Sequence, residues 1–203
     1  MNKNNRNLII INCVFICSLL IANIVAGKVV NLFGFIVPAA VTTYPITFLC
    51  TDVISEIWGK KEANLTVKIG IFIQLFSLIL IAIAIALPSA DFSIDYANNL
   101  KLVLGQNIRM VIASLIAYIV AQTNDVFIFH KLKELNKGKH KWIRNNVSTM
   151  TSQLIDTAIF ITIAFYGTVP NVLIMVISQY VVKVILALLD TPFFYLLTIN
   201  KDK

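Results

Sequence analysis

The sequence predicts an all-α, polytopic membrane protein with six transmembrane helices and both termini cytoplasmic. Three observations carry that class. Apolar runs of membrane-spanning length recur six times, and a helix needs ~20 mostly apolar residues to cross a hydrocarbon core ~30 Å thick. Of the 203 residues, 58% are apolar and 13% charged, with a mean hydropathy of +0.83, whereas a soluble domain has ~45–50% and ~25%. Most charges lie between the runs, but Lys28, Asp52, Glu56, Asp125, Asp156, Lys183 and Asp190 stand in or beside them. A charge at the centre of a spanning helix costs at least ~2.5–3.5 kcal/mol unless it is paired or wetted. Those residues mark where function is to be sought.

Helix 1 is expected at 8–30. This run exceeds the 7–15-residue core of a signal peptide and no small-residue cleavage site is clear, so it reads as a retained helix. Cys13 and Cys17 share one of its faces. With Cys50 the count is three, all at membrane depth, which favours apolar packing over a disulfide framework or a zinc site. Asn31-Leu32-Phe33-Gly34 reads as a short loop. Helix 2, at 36–57, contains Pro45, which lacks an N–H and frees the carbonyl of Val41. A free carbonyl at membrane depth is tolerated where it lines a cavity or meets another helix. Helix 3, at 67–87, ends before Pro88. The segment Asp91–Gly105 is expected to carry a short interfacial helix.

Helix 4 is expected at 108–129, followed by a solvated, lipid-facing basic loop from Lys131 to Lys141. His130 and His140 lack metal-ligand spacing. Ser148 or Thr149 suits the N-cap of helix 5, placed at 153–169. Gly167 and Pro170 form a tight turn into helix 6 at 172–197. Six helices use most of the length, so residues 1–203 read as a single transmembrane domain.

Orientation follows from Lys and Arg. With the N-terminus inside, thirteen lie on the cytoplasmic side and three outside, while Lys183 falls within helix 6. The net charge of +7 is thereby explained by anionic lipid headgroups, not by nucleic acid. Ile21-Ala22-Asn23-Ile24-Val25-Ala26 echoes Ile116-Ala117-Tyr118-Ile119-Val120-Ala121 on helices of opposite direction. An inverted 3+3 repeat would produce this, and so would close packing through Ala-x-x-x-Ala. The match fades afterwards, since Asp52 falls late in helix 2 and Asp156 early in helix 5.

Tyr44, Phe48, Asp52 and Glu56 are spaced by four and stack on one face of helix 2. That face carries two rings and two carboxylates, although Glu56 can also pair with Lys60 and Lys61. Helices 4 and 5 add Gln122, Asn124, Asp125, Gln153 and Asp156, and helix 6 adds Gln179, Lys183 and Asp190. Asp156 lies 14 residues before Pro170 and Lys183 lies 13 after it. Antiparallel helices bring both to a similar depth, ~20 Å from the outer turn, where a Lys–Asp pair would neutralise two charges. Residues alone thus describe a carrier of a small polar solute.

Several strings go further. Thr43-Tyr44-Pro45 is followed by Asp52, Glu56 and Gly59. Next come Ala113-Ser114, Ala117-Tyr118, Gln122 and Asp125, then Arg144-Asn145-Asn146, Ser148-Thr149, Ser152-Gln153 and Asp156-Thr157. Lys183 and Thr191-Pro192 close the pattern. In order and spacing, from Ala22 to Pro192, this resembles the queuosine-precursor transporter family of six-helix bacterial inner-membrane proteins. The resemblance implies uptake of 7-cyano-7-deazaguanine, 7-aminomethyl-7-deazaguanine or queuine, and it brings Asn146 into the substrate-binding set. A guanine-like base offers N–H donors that carboxylates accept and an oxygen to which amide or cationic groups donate. Its ring stacks on aromatic side chains. Tyr44, Phe48, Asp52, Gln122, Asp125, Gln153 and Asp156 supply those parts.

Two other readings were open. A substrate-binding membrane subunit of an ATP-driven, vitamin-type importer would find a docking stripe in Ala22-x-x-x-Ala26. An intramembrane hydrolase would need two carboxylates sharing a proton, yet no Gly-x-Gly-Asp-like or His-Glu-x-x-His signature is present. The expectation is therefore a non-enzyme with no cofactor and no metal. Its partners are lipid and a small purine-like substrate, with a homodimer left open.

Overall fold

A computed structural model describes residues 3–135 and 141–198, with the side chains of Gln122, Asp125 and Asn146 outside the described residues. The described residues form six α-helices and one two-stranded hairpin. The first helix, α1 (Lys3–Val25), stops five residues before the expected end. The chain then turns through Ala26–Lys28 into β1 (Val29–Leu32), which pairs antiparallel with β2 (Phe35–Pro38). The two-residue connection is Phe33-Gly34, with φ of 51° and 93°. Two positive φ values match the right-handed twist of the flanking strands. The Asn31 side chain accepts from the Gly34 N–H at 2.9 Å. The hairpin is a correction to the purely helical expectation: the apolar run to Val30 is continuous in hydropathy but not in backbone.

The Ala39 N–H then donates to the Lys28 carbonyl at 2.7 Å, so the hairpin returns the chain to where it left α1. A 3₁₀ turn, Ala39–Thr42, leads to α2 (Tyr44–Trp58). Helix 2 therefore does not run from 36. Pro45 sits in the first turn of α2, where its missing N–H would have had no helical partner in any case. At 15 residues α2 is only about 22 Å long, shorter than a membrane crossing. Gly59, at φ 94°, turns the chain into α3 (Lys60–Ala86).

After Leu87 a 3₁₀ turn, Asp91–Ser93, opens directly into α4 (Ile94–Leu135). The expected interfacial helix, helix 4 and the start of the basic loop are thus one element. Its 42 residues extend about 63 Å, roughly twice the hydrocarbon thickness. The fifth helix, α5 (Lys141–Phe165), begins twelve residues earlier than 153 and ends four before 169. Ser148 and Thr149 consequently lie inside it, not at its cap. The sixth, α6 (Val172–Thr198), keeps its expected span. Hydropathy marks where a helix enters lipid, whereas polar helix formers carry α4 and α5 beyond that point.

Among the described residues, three helices are long and apolar enough to cross a membrane, within Asn5–Val25, Lys61–Ala86 and Asp91–Ala121, and shorter apolar segments occupy Met150–Phe165 and Val172–Leu186. On α3, Phe72, Phe76, Ile79 and Ile83 are all more than half exposed. In water such a surface would be an aggregation patch, but against lipid it is solvated. Small residues form the centre: Ala22, Ala26, Ala113 and Ala117 are buried in one cluster with Phe160, Ile161 and Phe165. Close packing accounts for the alanines of the echoed strings. It also turns Ala22 and Ala26 inward, away from any docking partner. Gly70 has the same role on α3, where an added Cβ would stand 2.8 Å from Phe15 Cε1 and 3.0 Å from Leu19 Cδ2.

Candidate functional site

A cavity of about 260 Å³ opens between α1, α2, α3, α4, α5 and α6. From α2 it takes Tyr44, Thr47, Phe48 and Thr51. That is an i, i+3, i+4, i+7 stripe, the true face of a 3.6-residue helix. The spacing by four used in the sequence advances by about 40° per step. Tyr44 and Phe48 remain on the face, while Asp52 and Glu56 rotate off it. Both carboxylates are exposed and neither is part of the cavity wall. The lining of this cavity includes Asp156 but not Asp52. Gln153, half-buried on α5, also lies outside the wall; its carbonyl accepts from Thr157 Oγ1 at 2.8 Å.

Asp156 and Lys183 do meet, as their distances from the Gly167–Pro170 turn require. Lys183 Nζ is 2.8 Å from Asp156 Oδ2, with side chains 10% and 30% exposed respectively. The turn above them is held by Gly167 at φ 81° and by Arg109 of α4. The guanidinium donates to the carbonyls of Ile163 and Tyr166, both at 2.7 Å, at the end of α5. A cation at a helix C-terminus opposes the macrodipole favourably. In the sequence Arg109 counts only as an outer charge.

The ion pair forms one wall of the cavity and aromatic rings form the next. Tyr44 and Phe48 lie with centroids 6.4 Å apart and planes inclined by 28°, and Lys183 Nζ is 5.6 Å from the Tyr44 centroid. The lysine is thus held between a carboxylate and a π face, each of which favours a cation. One carboxylate oxygen carries Lys183, leaving the other with capacity to accept. Thr47 and Thr51 turn their hydroxyls back to the carbonyls of Tyr44 and Thr47, so they present methyl groups and short polar edges. The pair is neutral in sum. The cavity therefore suits a small, flat molecule bearing N–H donors.

Among the wall residues to which the sequence reading gave no site role are Gln74 on α3 and Phe160 on α5, with Ser114 and Tyr118 on α4, which entered only through the family pattern. Gln74 is only 3% exposed, and its Nε2 has no hydrogen-bond partner among the described residues. The detectable signal was a lone amide within a long apolar run. Gln179 of α6, noted from sequence but not assigned to a site, is 1% exposed with both amide atoms unsatisfied. Gln122, Asp125 and Asn146 were expected here, but their side chains lie outside the described residues.

Residues 38–197 match a family described as "Putative vitamin uptake transporter". The chain is 33% identical over 177 residues to a Bacillus subtilis (strain 168) protein named "Probable queuosine precursor transporter", covering 86% of this chain and 77% of that protein. It is 31% identical over 136 residues to a protein of the same name from Haemophilus influenzae, covering 67% of this chain and 55% of that relative. The chain thus spans about half the length of the second. No solved structure matches it.

Proposed function

The chain belongs to this family of vitamin uptake transporters, and from that premise we propose that it imports a queuosine precursor across the bacterial inner membrane. The substrate is 7-cyano-7-deazaguanine, 7-aminomethyl-7-deazaguanine or queuine. The protein is a multi-pass membrane transporter, not an enzyme. In the proposed topology its 203 residues form one transmembrane domain of six crossings with both termini cytoplasmic.

One observation carries the substrate reading: the Asp156–Lys183 pair stands with the Tyr44–Phe48 rings in the wall of one cavity lined by all six helices. A deazaguanine is flat, which suits the rings; stacking typically contributes ~1–3 kcal/mol per base. Its Watson–Crick edge presents N–H donors to a carboxylate, the pairing by which acidic side chains read amino groups of bases. At about 260 Å³ the cavity lies just below the ~300–1,000 Å³ common for ligand pockets, fitting a free base better than a nucleotide.

Binding of the purified protein to the three precursors, with guanine as control, tests the reading. Micromolar or tighter binding of one precursor, with guanine at least tenfold weaker, is the expected result. Equal binding of guanine, or none of any precursor, overturns it. Uptake by the chain alone in proteoliposomes separates a self-sufficient carrier from a subunit that needs an ATP-driven partner.

A further inference from the structure

A second groove, of about 420 Å³, runs between α1 and α2 on a face of α2 that shares no residue with the cavity wall. From α1 it takes the helical stripe Asn7, Ile10, Ile11 and Val14, and from α2 a stripe that runs from Ile46 to Trp58. Cys50 and Val53 form a buried floor, while Ile10, Val14 and Ile46 are an exposed rim. The wall is apolar except at one end, where Asn7 and Trp58 stand. Twelve residues separate Ile46 from Trp58, about 18 Å of helix. That is close to half of a ~30 Å hydrocarbon core. A neighbouring helix would cross both leaflets, whereas one acyl chain occupies a single leaflet. Tryptophan at the end of such a groove marks the level of the headgroups.

The charges at that level can be placed by counting. Thr66 Oγ1 donates to Asn12 Oδ1 at 2.5 Å, and Gly70 lies against Phe15 and Leu19, so α1 and α3 run parallel and in register. Arg6 stands six residues before Asn12 and Lys61 five before Thr66, each about 8–9 Å nearer the same end. Both are exposed, and neither has an ion-pair partner among the described residues. In sequence Lys3 and Lys60 add to them, against Glu56 and Glu62, so the mouth is net positive. We propose that the groove binds an anionic phospholipid, with one acyl chain lying between α1 and α2 and the headgroup phosphate meeting Arg6 and Lys61. Basic clusters on the cytoplasmic side of spanning helices attract anionic headgroups, and long cationic side chains reach from apolar surface to that level. The site is independent of the substrate.

The test measures lipid binding to the purified full chain in neutral detergent, by native mass spectrometry and by the shift in thermal unfolding. Phosphatidylglycerol is compared with phosphatidylcholine of identical acyl chains. Wild type should retain one phosphatidylglycerol and bind it roughly tenfold more tightly or better, the contribution of two cations beside one headgroup. Arg6→Gln with Lys61→Gln should remove that preference by weakening phosphatidylglycerol alone. Lys28→Gln with Lys101→Gln, an equal loss of charge elsewhere on the exposed surface, should leave it intact. Ile46→Trp, on the rim, should weaken both lipids by obstructing the groove. Thermal unfolding confirms that each variant is folded, and the two charge pairs remain decisive should Ile46→Trp not fold. Equal loss of preference in both charge-pair variants reduces the effect to net charge and overturns the site, as does a wild type that retains no lipid. A lipid-free dimer that Ile46→Trp dissociates would assign the groove to a second copy of the chain and overturn the lipid.

Discussion

Removing the Asp156 carboxylate tests the structure at its most expensive point. Asp156→Ala leaves Lys183, 10% exposed, without its counter-charge. At 2.8 Å and an effective dielectric of about 20, the gross attraction is about 6 kcal/mol. Desolvation of both ions offsets most of this, so the pair stabilises far less than the gross figure. Stranding one partner is different, because the remaining buried charge keeps its desolvation cost; such changes typically cost about 3–5 kcal/mol. Asp156 is 30% exposed, so partial hydration places the expected loss near the lower end, about 3 kcal/mol. For a chain of this length that is a fall of roughly 6–12 °C in Tm. Lys183→Ala should cost less, because the abandoned Asp156 retains water. The double variant should recover much of the stability, giving a non-additivity of at least ~1 kcal/mol in a double-mutant cycle. Additive single effects, or wild-type Tm in Asp156→Ala, would refute the pair. Uptake supplies the second readout. Restored transport in the double variant makes the pair purely structural, whereas a folded but inactive double variant assigns Asp156 to the substrate.

Further outcomes follow from the same geometry. Tyr44→Ala and Phe48→Ala should each weaken precursor binding roughly 5- to 150-fold if a base stacks there, while Tyr44→Phe, which keeps the ring, should bind close to wild type; equilibrium binding decides. Gly59 sits at φ 94° with nothing within 4 Å of an added Cβ, so Gly59→Ala should lower stability by about 1–2 kcal/mol through backbone strain alone. Gly70→Ala should lower it by about 1–3 kcal/mol through contact with Phe15 and Leu19; in Phe15→Ala that penalty should largely vanish, a check available from thermal unfolding. Reporters fused after Lys203 and inserted near Lys137 should both read cytoplasmic, and a periplasmic signal at Lys137 would overturn the six-crossing topology.

Membrane class was legible because lipid imposes one requirement, length of apolar helix, that composition displays directly. The Asp156–Lys183 pair was legible for a related reason. Two helices joined by a short turn at Gly167 and Pro170 fix relative depth by counting, and the chemistry of charge in lipid supplies the attraction. Three features were not legible. The hairpin Val29–Pro38 is apolar enough to merge with helix 1, and short apolar runs do not separate strand from helix by hydropathy. On α2 a four-residue spacing drifts by about 40° per step, so the stripe that lines this cavity is Tyr44, Thr47, Phe48 and Thr51, without Asp52 and Glu56. Gln74 is a lone amide in a long apolar run, less conspicuous in sequence than a charge, although a buried amide also needs a partner.

The hairpin and the site are connected through the path of the chain. Had helix 1 run to Val30 and helix 2 begun at 36, Pro45 would sit in a helix interior, where it costs ~3 kcal/mol or more, and Tyr44 would be one ring among many on a continuous cylinder. Instead the hairpin brings Ala39 back onto Lys28, and the 3₁₀ turn feeds α2 at Tyr44. The helix therefore begins beside the Lys183 ammonium. Val37, Pro38 and Ala40 are buried, which anchors that entry point against the bundle. A short helix that starts within the protein, preceded by irregular backbone, is the arrangement membrane transporters tolerate only where the backbone is buried in protein or lines a cavity. Here both conditions hold at Tyr44, so the interruption that hid the fold from the sequence is also what sets the aromatic wall of the site.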